Sequence, residues 1–188
     1  MKLRDNNPAL ILVDVQKAFL DEEYWGGNRN NKNAEIVCGK ILKKCRELNL
    51  PIYHIRHSST NLKSKLNPAN KGFEFNENVT PLENEPIVTK EVNSAFIGTN
   101  LKEQLDQLSI DTLIIVGITT NHCVSTTTRM AGNFGYETYL ISDATATFDR
   151  IGINGEKYDS ETIHLTTLAN LNEEFATVWN FDKLISEL

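Results

Sequence analysis

Short, wholly apolar runs alternate with amphipathic helical stretches along most of this chain, a pattern that restricts it to a parallel sheet covered on both faces. The first run, Ala9–Val13, ends on Asp14. A helical pattern over Asn33–Leu48 follows, with Ile36, Val37, Ile41, Cys45 and Leu48 as its expected buried stripe. Pro51 opens a second strand, Ile52–Ile55, and a third short strand, Ile87–Thr89, ends at Lys90. Asn100 is placed to cap a helix, with Glu103 reciprocal to it and Leu101, Leu105 and Leu108 facing inward. The strand Thr112–Val116 turns through Gly117 into a helix over Asn121–Phe134, which Gly135 stops. Thr138–Ile141 is a fifth strand ending near Asp143, and Asp159 or Ser160 caps a helix to about Leu171. Ala176–Trp179 is a sixth strand and Asp182–Leu188 a closing helix. The expected fold is α/β: a doubly wound, mostly parallel six-stranded sheet with helices on both faces, in three α/β/α layers.

At 188 residues, with no internal repeat, low-complexity tract or visible boundary, residues 1–188 read as a single domain. Two stretches carry no assignable element: Asp21–Lys32, and the polar Ser58–Asn84 with Pro68, Gly72 and Pro81. The second is longer than a passive connection usually is, and such loops at the carboxyl ends of parallel strands hold binding sites. A composition 40% hydrophobic and 23% charged excludes disorder and a disulfide scaffold. With a net charge of -6 and no basic stripe, no nucleic-acid partner is expected; Lys40, Lys43, Lys44 and Arg46 read as a solvated helix face. No apolar run is long enough to span a bilayer or serve as a leader, so no membrane partner is expected. Three cysteines, an odd number, fit a reducing, cytoplasmic setting. Cys38 and Cys45 lie roughly 10 Å apart along a helix axis, beyond the reach of about 7 Å for a disulfide. They read as small core hydrophobes.

Three reactive residues hold equivalent places in this map. Asp14 follows the first strand, Lys90 the third, and Cys123 opens the helix after the fourth. Parallel strands point one way, so these ends share one edge of the sheet. A helix N-terminus favours a thiolate and offers free N–H groups for an oxyanion. Taken alone, Cys123 also fits a buried structural cysteine, Asp14 a turn cap and Lys90 a solvated lysine. Taken together, Asp14 is a proton acceptor for the thiol and Lys90 the cation that balances the local charge. His122 is a neighbour of Cys123, but successive helical residues diverge by about 100°, which favours a structural role. Phe19, Tyr24, Trp25 and Phe96 lie just beyond the strand ends and are candidates for the substrate pocket or for packing. Asn93 and Ser94 are candidates for orienting Lys90 or a substrate, and Gln16 for bracing the site. The run Ser125–Thr128 reads as helix packing or back-bonding. No G-x-G-x-x-G or G-x-x-x-x-G-K-[ST] motif supports nucleotide binding.

The segments ALILVDVQKAF, VTKEVNSAF, LIIVGITTNHCVSTTTRMAGNFGY and LISDATATFDR, in that order, closely resemble the isochorismatase-like cysteine hydrolase superfamily. The likeness runs from about Ala9 to Trp179 and includes nicotinamidases and carbamoyl-amide and ureide hydrolases. It implies a catalytic triad of Asp14, Lys90 and Cys123, and a cis peptide bond between Ile118 and Thr119. The N–H groups of Thr119 and Cys123 would then form the oxyanion hole. It also implies a small-molecule substrate, a cofactor-free thioester path, and a homodimer or homotetramer. Nicotinamidases bind a divalent metal through an Asp and two His after the second strand. Here no Asp occurs between Asp21 and Asp106; His54 is expected within the strand and His57 beyond it, a poor metal set. True isochorismatases lack the cysteine, so Cys123 favours C–N cleavage over vinyl-ether cleavage. A metal-assisted nicotinamidase, an isochorismatase-type hydrolase and a non-catalytic binding member are the alternatives.

Overall fold

A computed structural model describes residues 2–188. Six strands form one parallel sheet: β1 (Ala9–Val13), β2 (Ile52–His57), β3 (Ile87–Lys90), β4 (Thr112–Ile118), β5 (Glu137–Ala146) and, after a hairpin described below, the edge strand Thr177–Trp179. Their spatial order is β3-β2-β1-β4-β5 followed by that edge strand. The chain winds outward from β1 in one direction and then, from β4 onward, in the other. The carboxyl ends of β1 and β4 therefore flank the crevice at which open α/β sheets bind ligands. Every residue of β1 and β4 is buried, as expected of strands covered on both faces.

The helices are α1 (Glu22–Trp25), α2 (Ala34–Glu47), α3 (Leu101–Gln107), α4 (Ser125–Asn133), α5 (Ser160–Leu171) and α6 (Phe181–Glu187). On one face, Cys38, Ile41, Leu42 and Cys45 of α2 and Leu184 of α6 pack on Leu10, Leu12, Ile114 and Val116. On the other, Leu101 and Leu105 of α3, Ala131 of α4 and Leu168 of α5 cover Ile11, Val13, Leu113 and Ile115. A third, smaller cluster of Ala18, Phe19, Leu66, Ile118 and Phe148, with Trp25 against it, sits apart from both. None of the helices among the described residues is long and apolar enough to cross a membrane.

Several local expectations need correction. Ile36 and Leu108 are exposed, not buried; the stripe of α2 turns instead through Ala34, Cys38, Ile41 and Cys45. β2 continues past Ile55, so His57 closes the strand instead of following it. β5 has 10 residues because Ser142 and Asp143 lie in an irregularity that shifts its register against β4 between Ile115 and Gly117. Ala176 makes only an isolated bridge with Asn172 before the edge strand. Two-residue strands β6 (Arg150–Ile151) and β7 (Lys157–Tyr158) form a separate antiparallel hairpin, too short to carry a period; the edge strand is thus β8. Asn121–Phe134 is not one helix: Thr120–Val124 forms a π-helical turn, and α4 begins at Ser125.

Candidate active site

Asp14 is the first residue beyond β1, and its backbone turns left-handed (φ 52°), a conformation Asp tolerates better than most side chains. Lys90 is the last residue of β3, and Cys123 lies in the π-helical turn after β4. Lys90 Nζ donates to Asp14 Oδ2 at 2.7 Å, and both side chains are wholly buried. The other carboxylate oxygen, Oδ1, is buried without a hydrogen-bond partner among the described residues. An Asp14 oxygen, a His57 ring nitrogen and the Cys123 sulfur lie within 4.8 Å of one another. The three sequence-derived candidates therefore converge.

The turn that carries Cys123 is anchored from several sides. The Ile118–Thr119 peptide bond is cis. Thr119 O accepts from His122 N (3.2 Å) and Val124 N (3.3 Å). Thr120 Oγ1 meets His164 Nδ1 of α5 at 2.9 Å, and Thr147 Oγ1 donates to Asn121 Oδ1. Gly117 (φ 131°) is required here, since a Cβ would lie 1.9 Å from the Val13 carbonyl oxygen. Neither His164 nor Thr147 stood out in sequence, because a polar residue bracing a distant turn leaves no periodic mark.

The thiol of Cys123 is not the ready thiolate that a helix N-terminus would favour. Burial pushes its pKa up, and the adjacent Asp14 charge pushes it further, while Lys90 pulls the other way. The resting residue is a thiol whose sulfur lies within 4.8 Å of a carboxylate oxygen of Asp14. That suits proton transfer at the moment of attack better than standing ionisation.

A cavity of about 220 Å³ opens onto Cys123. Phe19, Trp25 and Leu66 form its apolar wall, and His57, Asn93, Thr119 and His122 its polar side. The Phe19 and Trp25 rings pack tilted with centroids 4.7 Å apart, and Trp25 Nε1 donates to Ala18 O. Asn93 Oδ1 accepts from the Cys123 thiol at 3.7 Å. Two pocket candidates fall elsewhere. Phe96 is buried in the core against Phe134 and Tyr136, and Tyr24 is exposed, edge-on to Trp25 and outside the cavity lining. Ser94 is buried and accepts from the Phe96 N–H. His122, given a structural role above, is instead exposed on the cavity wall. A larger groove of about 570 Å³ at the amino end of β2, beside Arg46, Pro51 and Glu85, contains none of these reactive groups.

His57 is the site residue that sequence reasoning placed wrongly. β2 lies between β1 and β3, and His57 pairs in register with Lys90. The lysine must cross the end of β2 to reach Asp14, and there His57 Nδ1 meets Nζ at 3.1 Å. The signal was available: a strand between two catalytic strands presents its own last residue to their pair. His54, an odd number of residues away, points to the opposite face, where Nε2 contacts Glu85 at 2.8 Å.

Oxygen, nitrogen and sulfur donors of Asp14, His57 and Cys123 form the one cluster of this kind among the described residues. They do not fit a divalent ion. The Lys90 ammonium already contacts both the Asp14 carboxylate and the His57 ring, and a second cation at that point would be repelled.

Residues 8–180 match the Isochorismatase domain. The chain belongs to the isochorismatase family of hydrolases. This isochorismatase-family chain is 51% identical over 183 residues to the uncharacterized isochorismatase family protein YrdC of Bacillus subtilis (strain 168), covering 97% of each. It is 29% identical over 195 residues to Nicotinamidase 3 of Arabidopsis thaliana, covering 94% of this chain and 86% of the plant protein. An isochorismatase-family structure from Chromobacterium violaceum superposes with a TM-score of 0.94 at 34% identity, covering 100% and 96% of the two chains. A cysteine hydrolase from Pseudomonas syringae pv. phaseolicola superposes with a TM-score of 0.86 at 25% identity, covering 100% and 94%.

Proposed function

We propose that this isochorismatase-family hydrolase cleaves a C–N bond of a small amide, ureide or carbamoyl compound through a thioester on Cys123. One observation carries the reading: the two oxygens of Asp14 are used differently. Oδ2 is held by Lys90, Oδ1 is buried with no hydrogen-bond partner among the described residues, and a carboxylate oxygen of Asp14 lies within 4.8 Å of the Cys123 sulfur. A carboxylate arranged in this way can accept one proton and return it.

In the proposed cycle, Asp14 takes the Cys123 proton as the sulfur adds to the substrate carbonyl, forming the C–S bond. The N–H groups of Thr119 and Cys123, two residues that line the cavity, are assigned to the developing oxyanion. The C–N bond then breaks, and the proton passes from Asp14 to the departing nitrogen. Water adds to the thioester and gives a proton to Asp14; the C–S bond breaks, and the thiol recovers its proton. Lys90 keeps Asp14 oriented and offsets the negative charge on sulfur. The aromatic wall of Phe19 and Trp25 suits a small planar group. The similarity to Nicotinamidase 3 and to a cysteine hydrolase supports C–N cleavage by a cysteine.

The test is an ammonia-release screen over nicotinamide, ureides, carbamoyl amino acids and small amides. Intact-mass detection of an acyl adduct accompanies it. Turnover and adduct should both vanish in Cys123→Ala; a Cys123→Ala protein that turns over at the wild-type rate would overturn the scheme.

A further inference from the structure

We propose that His57 is a positioning residue of this site: a neutral imidazole that accepts a hydrogen bond from Lys90 through Nδ1 and turns an Nε2–H toward the substrate cavity. This rests on the assignment of Asp14, Lys90 and Cys123 made above. Lys90 Nζ is wholly buried, and among the described residues its side-chain hydrogen-bond partners are Asp14 Oδ2 (2.7 Å) and His57 Nδ1 (3.1 Å). An ammonium only donates, so the nitrogen facing it must carry a lone pair. The proton of a neutral ring then sits on Nε2, and the ring lines the cavity.

The fold holds this ring in place through its backbone. Gln16, itself wholly buried, accepts from His57 N through Oε1 at 2.9 Å and donates from Nε2 to His57 O at 3.2 Å. The same Nε2 donates to Phe73 O at 2.9 Å, which ties the end of β2 to the long loop over the site. Both polar groups of the His57 backbone are thus clamped where the neighbouring strand β1 has run out. The charged groups around the ring are Lys90 from β3, Asp14 beyond β1 and Glu91 beyond β3. Burial and the Lys90 charge disfavour a protonated ring, while Asp14 and Glu91 act the other way. Lys90 opposes the Asp14 charge at the Cys123 sulfur. A histidine that fixes Lys90 therefore acts on the nucleophile through it.

Two measurements on the full-length protein test this without requiring a known substrate. The first is the rate of Cys123 alkylation by iodoacetamide at pH 7.5, read by peptide mass mapping. In His57→Leu, which cannot hold Lys90, the rate should fall about tenfold, the scale of one hydrogen bond to a charged group. His57→Asn keeps an acceptor near the Nδ1 position and should stay within about threefold of wild type. A His57→Leu rate equal to wild type, or a His57→Asn rate as low as that of His57→Leu, would overturn the proposal. Cys38 and Cys45 are wholly buried in the core, whereas Cys123 lines the cavity, so the first two stay unlabelled in any folded variant. If His57→Leu fails that control, His57→Asn and the second measurement decide. That measurement is ¹⁵N NMR of the histidine rings, with His57 assigned by its loss in His57→Asn. A neutral Nε2–H tautomer at pH 7 is expected, its bias lost in Lys90→Met. An Nδ1–H tautomer, an imidazolium, or a spectrum indifferent to Lys90→Met would overturn it. Neither readout uses turnover, so Cys123→Ala can fail its own test without deciding this one.

Discussion

Lys90 Nζ lies 2.7 Å from Asp14 Oδ2, although the strands that end at these residues are not neighbours in the sheet. The pair spans the end of β2 and is wholly buried. Such pairs contribute little net stability against an apolar replacement of both partners, but losing one partner strands the other charge. Lys90→Met should therefore destabilise the protein by about 3–5 kcal/mol. Asp14→Leu combined with Lys90→Met should recover part of that loss. Urea unfolding of the three proteins checks this; a Lys90→Met protein as stable as wild type would show that the pair is not desolvated.

Asp14→Asn should move thiol reactivity and turnover in opposite directions. Asp14 raises the Cys123 pKa and Lys90 lowers it, so neutralising Asp14 leaves the cation unopposed. The thiolate fraction at pH 7 then rises, and iodoacetamide should label Cys123 faster than in wild type. Turnover of any substrate found by the ammonia screen should fall by about 100-fold or more, because no group carries the proton to the leaving nitrogen. Labelling and turnover that fall together would argue that Asp14 only shapes the site.

Much of this arrangement was legible in residue type and order. Ala9–Val13 and Leu113–Val116 are continuous apolar runs that only a doubly covered strand accommodates, and the reactive residues at their ends had to share an edge. What escaped reading was set by tertiary contacts. Ile36 looks like core, yet the face of α2 is chosen by the pitch at which Cys38, Ile41 and Cys45 meet the sheet. Phe96 follows Lys90 closely in sequence, but the chain turns it down onto Phe134 and Tyr136. His57 needed the strand order, because only the placement of β2 between β1 and β3 brings it to Lys90.

Gly117 and Gly135 both have positive φ, and they separate conformational strain from collision. At Gly135 (φ 88°) an added Cβ meets nothing within 4 Å, so Gly135→Ala should cost about 1 kcal/mol from backbone strain alone. At Gly117 (φ 131°) the same atom would sit 1.9 Å from the Val13 carbonyl oxygen, in the β1–β4 ladder beside Asp14. Gly117→Ala should cost about 3 kcal/mol or more. It should also displace Asp14 and Cys123 relative to each other. Thermal unfolding and iodoacetamide labelling of the two variants give the comparison; equal losses of stability would remove the collision argument.

Acid stability should depend on Glu85, far from the site. Burial alone would raise its carboxyl pKa, but hydrogen bonds from Arg46, the Leu82 N–H and His54 outweigh it and hold the group down to about 2. Arg46 contributes two of them, each at 2.7 Å. A carboxyl whose folded pKa lies below its unfolded value of about 4.3 stabilises the fold fully above that value. The contribution is then lost as pH falls toward the folded pKa, because the unfolded state takes up the proton first. Between pH 5 and pH 2.5 the urea midpoint of wild type should therefore drop. In Glu85→Gln the neutral amide has no such linkage, and the midpoint should start lower at pH 5 and fall less steeply. Parallel profiles for the two proteins would mean that other carboxylates carry the acid transition and that Arg46 and His54 hold Glu85 no more tightly than solvent does.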